Sequence, residues 1–398
     1  MPAIPVQNID DFLESVTHKY YDRTNYKDLS VNLRQSVFAK YIVNRAGHTS
    51  DEGMRQDEME GDLVHWKLMY AYADTFRLIA PYSELETKRV TMTTHGQMFW
   101  SMNETNYNFC VTEDQFRTNK VKLIDAIDER EHGMYNSYVL GMEKLMLGPG
   151  PTSVPTAGEP TPPASLLWWL QPYNGNANYP AYDANGSSAP ITLSVGPDAT
   201  SSGFVGMDPP GFSSIGTGGV FRSTVPGWRN RAGIYTSITP TDFVDTLIEC
   251  TEKCQFTPMR TYAELAPGED PDWMYLTTYS RIKGMRRILQ SGNDNIEQDL
   301  GQFKGRVVLH GVPFQEVPLW SNQDLGYNLN TGTVLGINWK TWKYFYKSGM
   351  RMQKMPLIVH PTMPDVRVRR MLDSGQIVCF DCRSNFRIDS TVAVTESN

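Results

Sequence analysis

At 398 residues with a formal net charge of −7 and a pI near 5.6, the chain can bury a large core in two or more lobes. It is too acidic for a wholly basic surface that grips DNA regardless of sequence. A charged fraction of 20% and a hydrophobic fraction of 40% exclude disorder as the whole answer. The opening MPAIPVQNIDDF has no charged n-region and no apolar h-region, so no secretory signal is expected. No apolar run approaches ~18 residues, so no membrane span is expected. Five cysteines, an odd count, fit reduced thiols in a cytosolic fold.

Residues 9–21 and 35–44 read as short helices on an N-terminal arm, and Leu63–Phe76 as a strand. Between Pro81 and Val111 the run KRVTMTTHGQMFWSMNETNYNFCV predicts a long two-stranded hairpin, turning near Thr94–Gln97 or Asn103–Asn106. Met92, Met98, Phe99, Trp100 and Met102 lie on it. Either the hairpin folds onto its own core, or it projects and packs on a neighbour, as exposed apolar patches do.

From Lys122 to Leu147 apolar residues recur at helical spacing. That length makes a helix of about 37 Å. Gly133 and Gly141 each weaken it by ~1 kcal/mol relative to Ala, and Gly148-Pro149-Gly150-Pro151 ends it. Residues 149–232 are rich in Pro, Gly, Ser and Asn. They read as an extended excursion pinned by aromatics, Trp168, Trp169 and Trp228 among them.

Thr239-Pro240-Thr241-Asp242 reads as a capping box opening a helix to about Gln255. A strand at Trp273–Thr277 and a basic helix at Tyr279–Gln290, with Lys283, Arg286 and Arg287, come next. Ser291–Trp320 and Val359–Ile388 read as strands broken by tight turns. Helices and strands alternate without a βαβ rhythm, which predicts an α+β fold.

No reactive constellation emerges, so no enzyme, cofactor or metal site is expected. Cys250 and Cys254 share a helix face without further ligands nearby in sequence. Cys379 and Cys382 form a CxxC in what reads as one strand, where side chains three apart point opposite ways. The seven histidines are scattered, and HExxH, GxSxG and P-loop motifs are missing. Arg229 with Arg231, and Arg367, Arg369 and Arg370, form short basic clusters that could meet phosphate or an acidic neighbour.

Several segments together resemble the major capsid proteins of tailed bacteriophages. They are Asn293-Asp294-Asn295-Ile296 with Asp299-Leu300, Gly311-Val312-Pro313, Val317-Pro318, Trp228-Arg229-Asn230 with Tyr235, and the helix from Thr239. Gly336-Ile337-Asn338-Trp339, His360-Pro361 and Cys382-Arg383-Ser384-Asn385 complete the set. The resemblance runs from about residue 63 onward.

It implies a Hong Kong 97-type capsid fold. Residues 1–62 would be the N-terminal arm, 63–80 a peripheral-domain strand, 81–115 the extended loop, and 116–148 the spine helix. Residues 149–232 would be a Pro/Gly-rich insertion, 233–320 the axial domain, and 321–398 the returning peripheral strands. The implied function is self-assembly into pentamers and hexamers of an icosahedral virion shell, built in the host cytoplasm around double-stranded DNA held without sequence specificity.

Implied partners are copies of the chain itself, with scaffolding, portal and decoration proteins. Expected inter-subunit contacts are Met92, Met98, Phe99, Trp100, Met102, Trp168, Trp169, Trp228, Arg229, Arg367, Arg369 and Arg370. No lysine occurs in the expected loop tip His95–Glu104, so no covalent crosslink is expected. Two other readings remain: a nanocompartment shell of the same fold that loads protein cargo, and a glycan-binding or glycan-hydrolysing protein. The second would need paired carboxylates, for which Asp183, Asp198 and Asp208 are the candidates.

Overall fold

The computed structural model describes residues 36–38, 41, 54–69, 93–110, 120–148, 150–151, 161–172, 202–204, 208, 212, 215–222, 225, 228–255, 272–292, 307–321, 332–356, 358–363 and 365–390. The chain enters through strands β1 (Arg55–Met59) and β2 (Leu63–Met69). Strands β3 (Thr93–Phe99) and β4 (Ser101–Cys110) are separated only by Trp100. The long helix α1 (Lys120–Leu147) has 28 residues, and a single turn α2 (Leu166–Trp169) follows it. Next come β5 (Ser202–Phe204), β6 (Arg231–Tyr235), α3 (Asp245–Gln255), β7 (Trp273–Thr277) and α4 (Tyr279–Gly292). The hairpin β8 (Val308–Leu309) and β9 (Val312–Glu316) leads to the turn α5 (Pro318–Ser321). Strands β10 (Val334–Asn338), β11 (Trp342–Lys347), β12 (Gln353–Lys354), β13 (Ile358–Val359), β14 (Val366–Cys379) and β15 (Phe386–Ser390) end the described chain.

Among the described residues these strands form sheets of six, seven and two. The six-stranded sheet is organised by β14. Along one edge it pairs antiparallel with β4, and along the other with β13, β12 and β11 in turn. β1 adds in parallel to β11. The seven-stranded sheet runs β5-β6-β15-β10-β7-β9-β8 and is mixed, with β6/β15 and β7/β9 parallel. The smallest sheet is β2 with β3.

Two hydrophobic cores result. The larger joins α1, α2, β2–β4 and the six-stranded sheet around Trp66, Trp168, Trp169, Trp228, Met142 and Ile377. The smaller lies between the seven-stranded sheet and α3 and α4, around Phe243, Leu247, Tyr275, Met285, Phe314 and Phe386. The fold therefore mixes helix and strand without a βαβ rhythm, as the sequence predicts.

Several local expectations are corrected. Thr94–Gln97 and Asn103–Asn106 are mid-strand and make no turn. β3 and β4 do not pair with each other: β3 pairs with β2, and β4 with β14, some 260 residues away in sequence. The chain passes from one sheet to the other at Trp100, whose buried indole donates to the Gly61 carbonyl at 2.9 Å.

Thr239 makes no side-chain cap. The Asp242 carboxylate instead reaches back to accept from the Thr236 and Ser237 backbone N–H groups at 2.9 and 2.7 Å. A single π-helical turn with Pro240 at its start leads into α3. The Arg367–Arg370 cluster belongs to the longest strand, and its Val-Arg-Val-Arg alternation carries the period-2 signal. The expected arm helix 9–21, Met92, and the Asn293–Leu300 motif lie outside the described residues.

Candidate functional site

The conspicuous polar groups are buried where elements meet. Asn385, which is fully buried, sits just before β15. Its Oδ1 accepts from the Asn338 backbone N–H and the Trp342 indole, both at 2.9 Å. Its Nδ2 donates to Thr341 Oγ1 and the Asp381 carbonyl at 2.9 and 2.8 Å. One amide thus uses both its acceptor and donor capacity to join β10, β11 and the turn before β15. Nearby, the Phe386 ring packs so tightly on Gly336 that a Cβ there would fall 2.1 Å from a ring carbon.

A second junction holds α1 to the six-stranded sheet. Asp373, 1% exposed, accepts through Oδ2 from the hydroxyls of Tyr138 on α1 and Tyr344 on β11, both at 2.8 Å. Its Oδ1 accepts from the Met352 N–H at 3.2 Å. Burial, reinforced by the adjacent carboxylate, pushes both tyrosine hydroxyls up, so they stay protonated as donors. Tyr344 reaches Asp373 across Gly375, where a Cβ would lie 2.0 Å from the phenol oxygen.

A third cluster ties together described residues of the 161–230 stretch. Arg222, fully buried, donates to Thr217 Oγ1 at 3.0 Å, to Asn230 Oδ1 at 2.6 Å, and to the Trp169 carbonyl. Burial lowers its pKa, opposed by the neighbouring Cys382, Asp208 and Cys379. Asp208 accepts from the Thr217 N–H and hydroxyl at 2.9 and 2.8 Å. That carboxylate is therefore engaged in holding a turn, which removes one of the three acids the glycan reading needs; Asp183 and Asp198 lie outside the described residues.

Ahead of β1, the described residues 36–38 and 41 are buried against the rest of the chain. Val37 N–H donates to Glu143 on α1 at 3.1 Å. Phe38 packs edge-on against Tyr138 at 6.0 Å, and Tyr41 stacks on Trp339 at 5.3 Å. Burial raises the Glu143 carboxyl, and the hydrogen bonds from Ser36 and Val37 oppose that shift.

Four of the cysteines, Cys250, Cys254, Cys379 and Cys382, are buried free thiols. Cys250 and Cys254 are buried in the smaller core, as their shared helix face predicts. Burial pushes the Cys250 thiol up to about 12 and Cys254 well above its ordinary value. The geometry expected for the CxxC is corrected. β14 ends at Cys379, and a 3₁₀ turn Cys382–Ser384 follows, its first N–H groups capped by Asp381, which accepts from Arg383 N–H at 3.1 Å. This fold-back brings the two side chains within hydrogen-bond reach, and burial followed by that contact raises Cys379 well above its ordinary value. A protonated, buried thiol is a poor nucleophile and a poor metal ligand. Among the described residues no group of His, Cys, Asp and Glu could hold a metal ion.

The expected contact residues divide. Met98, Trp100, Trp168, Trp169, Trp228 and Arg229 are buried in the chain's own body. Trp169 is edge-on to Trp168 and Trp228 at 5.1 and 5.8 Å and donates to the Ile377 carbonyl at 3.1 Å. Arg229 donates to the Arg222 carbonyl at 2.7 Å. These six are covered within one subunit. Phe99 and Met102 remain outward, 44% and 61% exposed. Arg370 lies 3.7 Å from Glu104 on β4, and Arg367 and Arg369 are half-buried on the same strand. Asp373 and Arg222 were not singled out by sequence; the available signal was an acid and an arginine set among apolar or small neighbours.

No family model and no curated protein sequence matches the chain. Solved structures do resemble it, and they are mostly phage capsids. The capsid asymmetric unit of cyanophage Pam1 matches with 13% identity over 93% of this chain and 95% of the other, at a TM-score of 0.48. That of cyanophage A-1(L) matches with 12% identity over 86% and 91%, at 0.49. The holo-SrpI encapsulin complex from Synechococcus elongatus PCC 7942 matches with 8% identity over 99% of both chains, at 0.44.

Proposed function

We propose that this chain is a shell-forming major capsid protein of the Hong Kong 97 type, which associates into pentamers and hexamers and closes around phage double-stranded DNA. The supporting observation is the convergence of the resembling motifs. Trp228-Arg229-Asn230, Gly336-Ile337-Asn338-Trp339 and Cys382–Asn385 are scattered through about 150 residues of sequence. Asn338 and Asn385 bond directly at 2.9 Å. Asn230 Oδ1 accepts from Gln171 N–H at 3.0 Å beside α2, and Trp339 is fully buried in the same core. The pattern that carries the family resemblance is thus a physical junction of the fold.

The described polar clusters point the same way. Asp373, Arg222, Asn385 and the Arg387–Asp389 pair at 2.9 Å join elements and are buried, whereas a catalytic group needs access to substrate. In this reading 81–115, with Phe99 and Met102, lies over a neighbour, 116–148 is the spine, and 233–320 forms most of the axial domain. The arm contacts through Val37 and Tyr41 are those of the chain with its own body. Electron microscopy of the purified chain tests the proposal: closed, regular particles are expected, and a small discrete oligomer at assembly concentrations would refute it. The nucleic-acid content of particles from an infected host separates a DNA-filled capsid from a protein-loaded compartment.

A further inference from the structure

Helix α4 carries Arg281, Lys283, Arg286 and Arg287 and no acidic residue. Its inner side is Arg281, Ile282 and Met285, all buried. Its outer side presents Lys283, Arg286 and Arg287, all exposed, with Tyr279 at 52% exposure at the head of the helix. None of the three outer cations is ion-paired to a described residue. On a chain of net charge −7, this is a cationic stripe whose charge is unmatched among the described residues. Arginine and tyrosine side by side are the composition that protein interfaces favour.

The matching surface lies on the same chain. Glu58, at the end of β1, and Glu60 and Asp62, in the turn after it, are all exposed, and none is ion-paired to a described residue. Their neighbour Asp57 is already held by Lys343 at 2.9 Å. The backbone that presents them is fixed. Ser348 N–H donates to the Met59 carbonyl at 3.2 Å, the Trp100 indole to the Gly61 carbonyl at 2.9 Å, and Gly61 adopts φ of 115°, a left-handed conformation that favours glycine.

We infer that the Lys283–Arg286–Arg287 stripe of one subunit docks on the Glu58–Glu60–Asp62 edge of a second copy of this chain. The inference rests on the shell reading and names one contact within it. Because the two patches are different parts of the chain, each copy has one of each to offer, and the contact can repeat from subunit to subunit. Exposed complementary charges of this kind steer encounter and fix register.

The test uses the full chain. Lys283→Glu, Arg286→Glu and Arg287→Glu together are expected to lower the assembled fraction, read by sedimentation velocity, at least ~10-fold. Glu58→Lys, Glu60→Lys and Asp62→Lys together should do the same. All six side chains are exposed, so thermal unfolding of either variant should match the wild type. Combining the six reversals should restore assembly. Wild-type assembly by either triple variant, or no rescue in the combination, overturns the inference and leaves the shell reading standing. Intact assembly of the α4 variant with loss of double-stranded DNA from the particles also overturns it, since the stripe's partner would then be nucleic acid. If wild type itself forms only small oligomers, the shell reading fails first.

Discussion

The Gly/Pro-rich excursion and the β3–β4 segment look alike in sequence, each a polar, turn-rich stretch studded with large apolar side chains, yet the fold treats them oppositely. The excursion's Trp168, Trp169, Phe212 and Trp228 all go into the larger core, where Trp168 stacks edge-on with Phe212 at 5.1 Å. The β3–β4 segment splits by strand alternation. Trp100, Met98 and Tyr107 turn inward, while Phe99 and Met102 stay outside. A stretch outside the sheets can aim most of its aromatics inward because no strand period fixes their faces, and here only Phe221 among its described aromatics stays 37% exposed; a strand must place alternate residues on opposite faces. An apolar residue on a strand's outer face is therefore the better marker of an interface, and a tryptophan in a glycine-rich loop is a better marker of a pin.

Substitution at one pin and one outer residue should separate these roles most sharply. Trp169→Ala removes a fully buried indole and its hydrogen bond to Ile377, and should cost the dissociated subunit about 3–5 kcal/mol. The urea midpoint of the isolated chain reads it. Trp169→Phe keeps most of the ring burial and should cost less, which guards against a variant that simply fails to fold. Met102→Ser, on the exposed face, should leave that midpoint within about 0.5 kcal/mol of wild type and act only on assembly. If Met102→Ser destabilises the isolated chain as Trp169→Ala does, the division between pin and contact is wrong.

What could be read in advance follows the same division. The long helix, the α3 cysteines and the buried LLWW turn came from local periodicity or local apolar runs, and local signals survive folding. The misplaced turn in 93–110 came from a non-local fact. The phase of the alternation slips between Trp100 and Ser101, which are both buried, and nothing in the local sequence says that β3 belongs to β2 while β4 belongs to β14. The CxxC was misread for a smaller reason. Asp381 ends the strand by capping the next turn, and a single Asx cap inside IVCFDCRS is a weaker signal than the apolar run around it. Asp373 illustrates a third kind of loss. Its partners Tyr138 and Tyr344 lie 235 and 29 residues away, so a buried carboxylate that ties helix to sheet reads, in sequence, as an ordinary acid in an Asp-Ser-Gly run.

Residues 36–38 and 41 extend the comparison to a segment held by a buried carboxyl as well as by rings. The Glu143 carboxyl is raised above its ordinary 4.5, so the docked state binds its proton more tightly than the unfolded state. Its stabilising contribution is fully present below about pH 4.5 and is lost as pH rises through the raised value. Glu143→Gln keeps an acceptor for Val37 N–H while removing the titration. The difference between the two proteins in urea midpoint, followed from pH 4.5 to pH 8, should therefore move in favour of the glutamine variant as pH rises. A flat difference would mean that Glu143 does not sense the docked arm.

The mildest change tests whether the outer side of α1 is free in the assembled state. Gly141 lies within the helix, and among the described residues nothing falls inside 4 Å of an added Cβ. Gly141→Ala should stabilise the isolated subunit by ~1 kcal/mol, because alanine lowers the entropy cost of ordering the helix. The urea midpoint should rise with its slope unchanged. The subunit alone therefore has no reason to keep glycine here. If the alanine variant is more stable as a subunit yet assembles less well, the space over Gly141 is filled by a neighbouring chain, and this face of the helix joins Phe99 and Met102 as a contact surface. If assembly is unaffected, that space stays open and the outer residues of β3 and β4 carry the comparison alone.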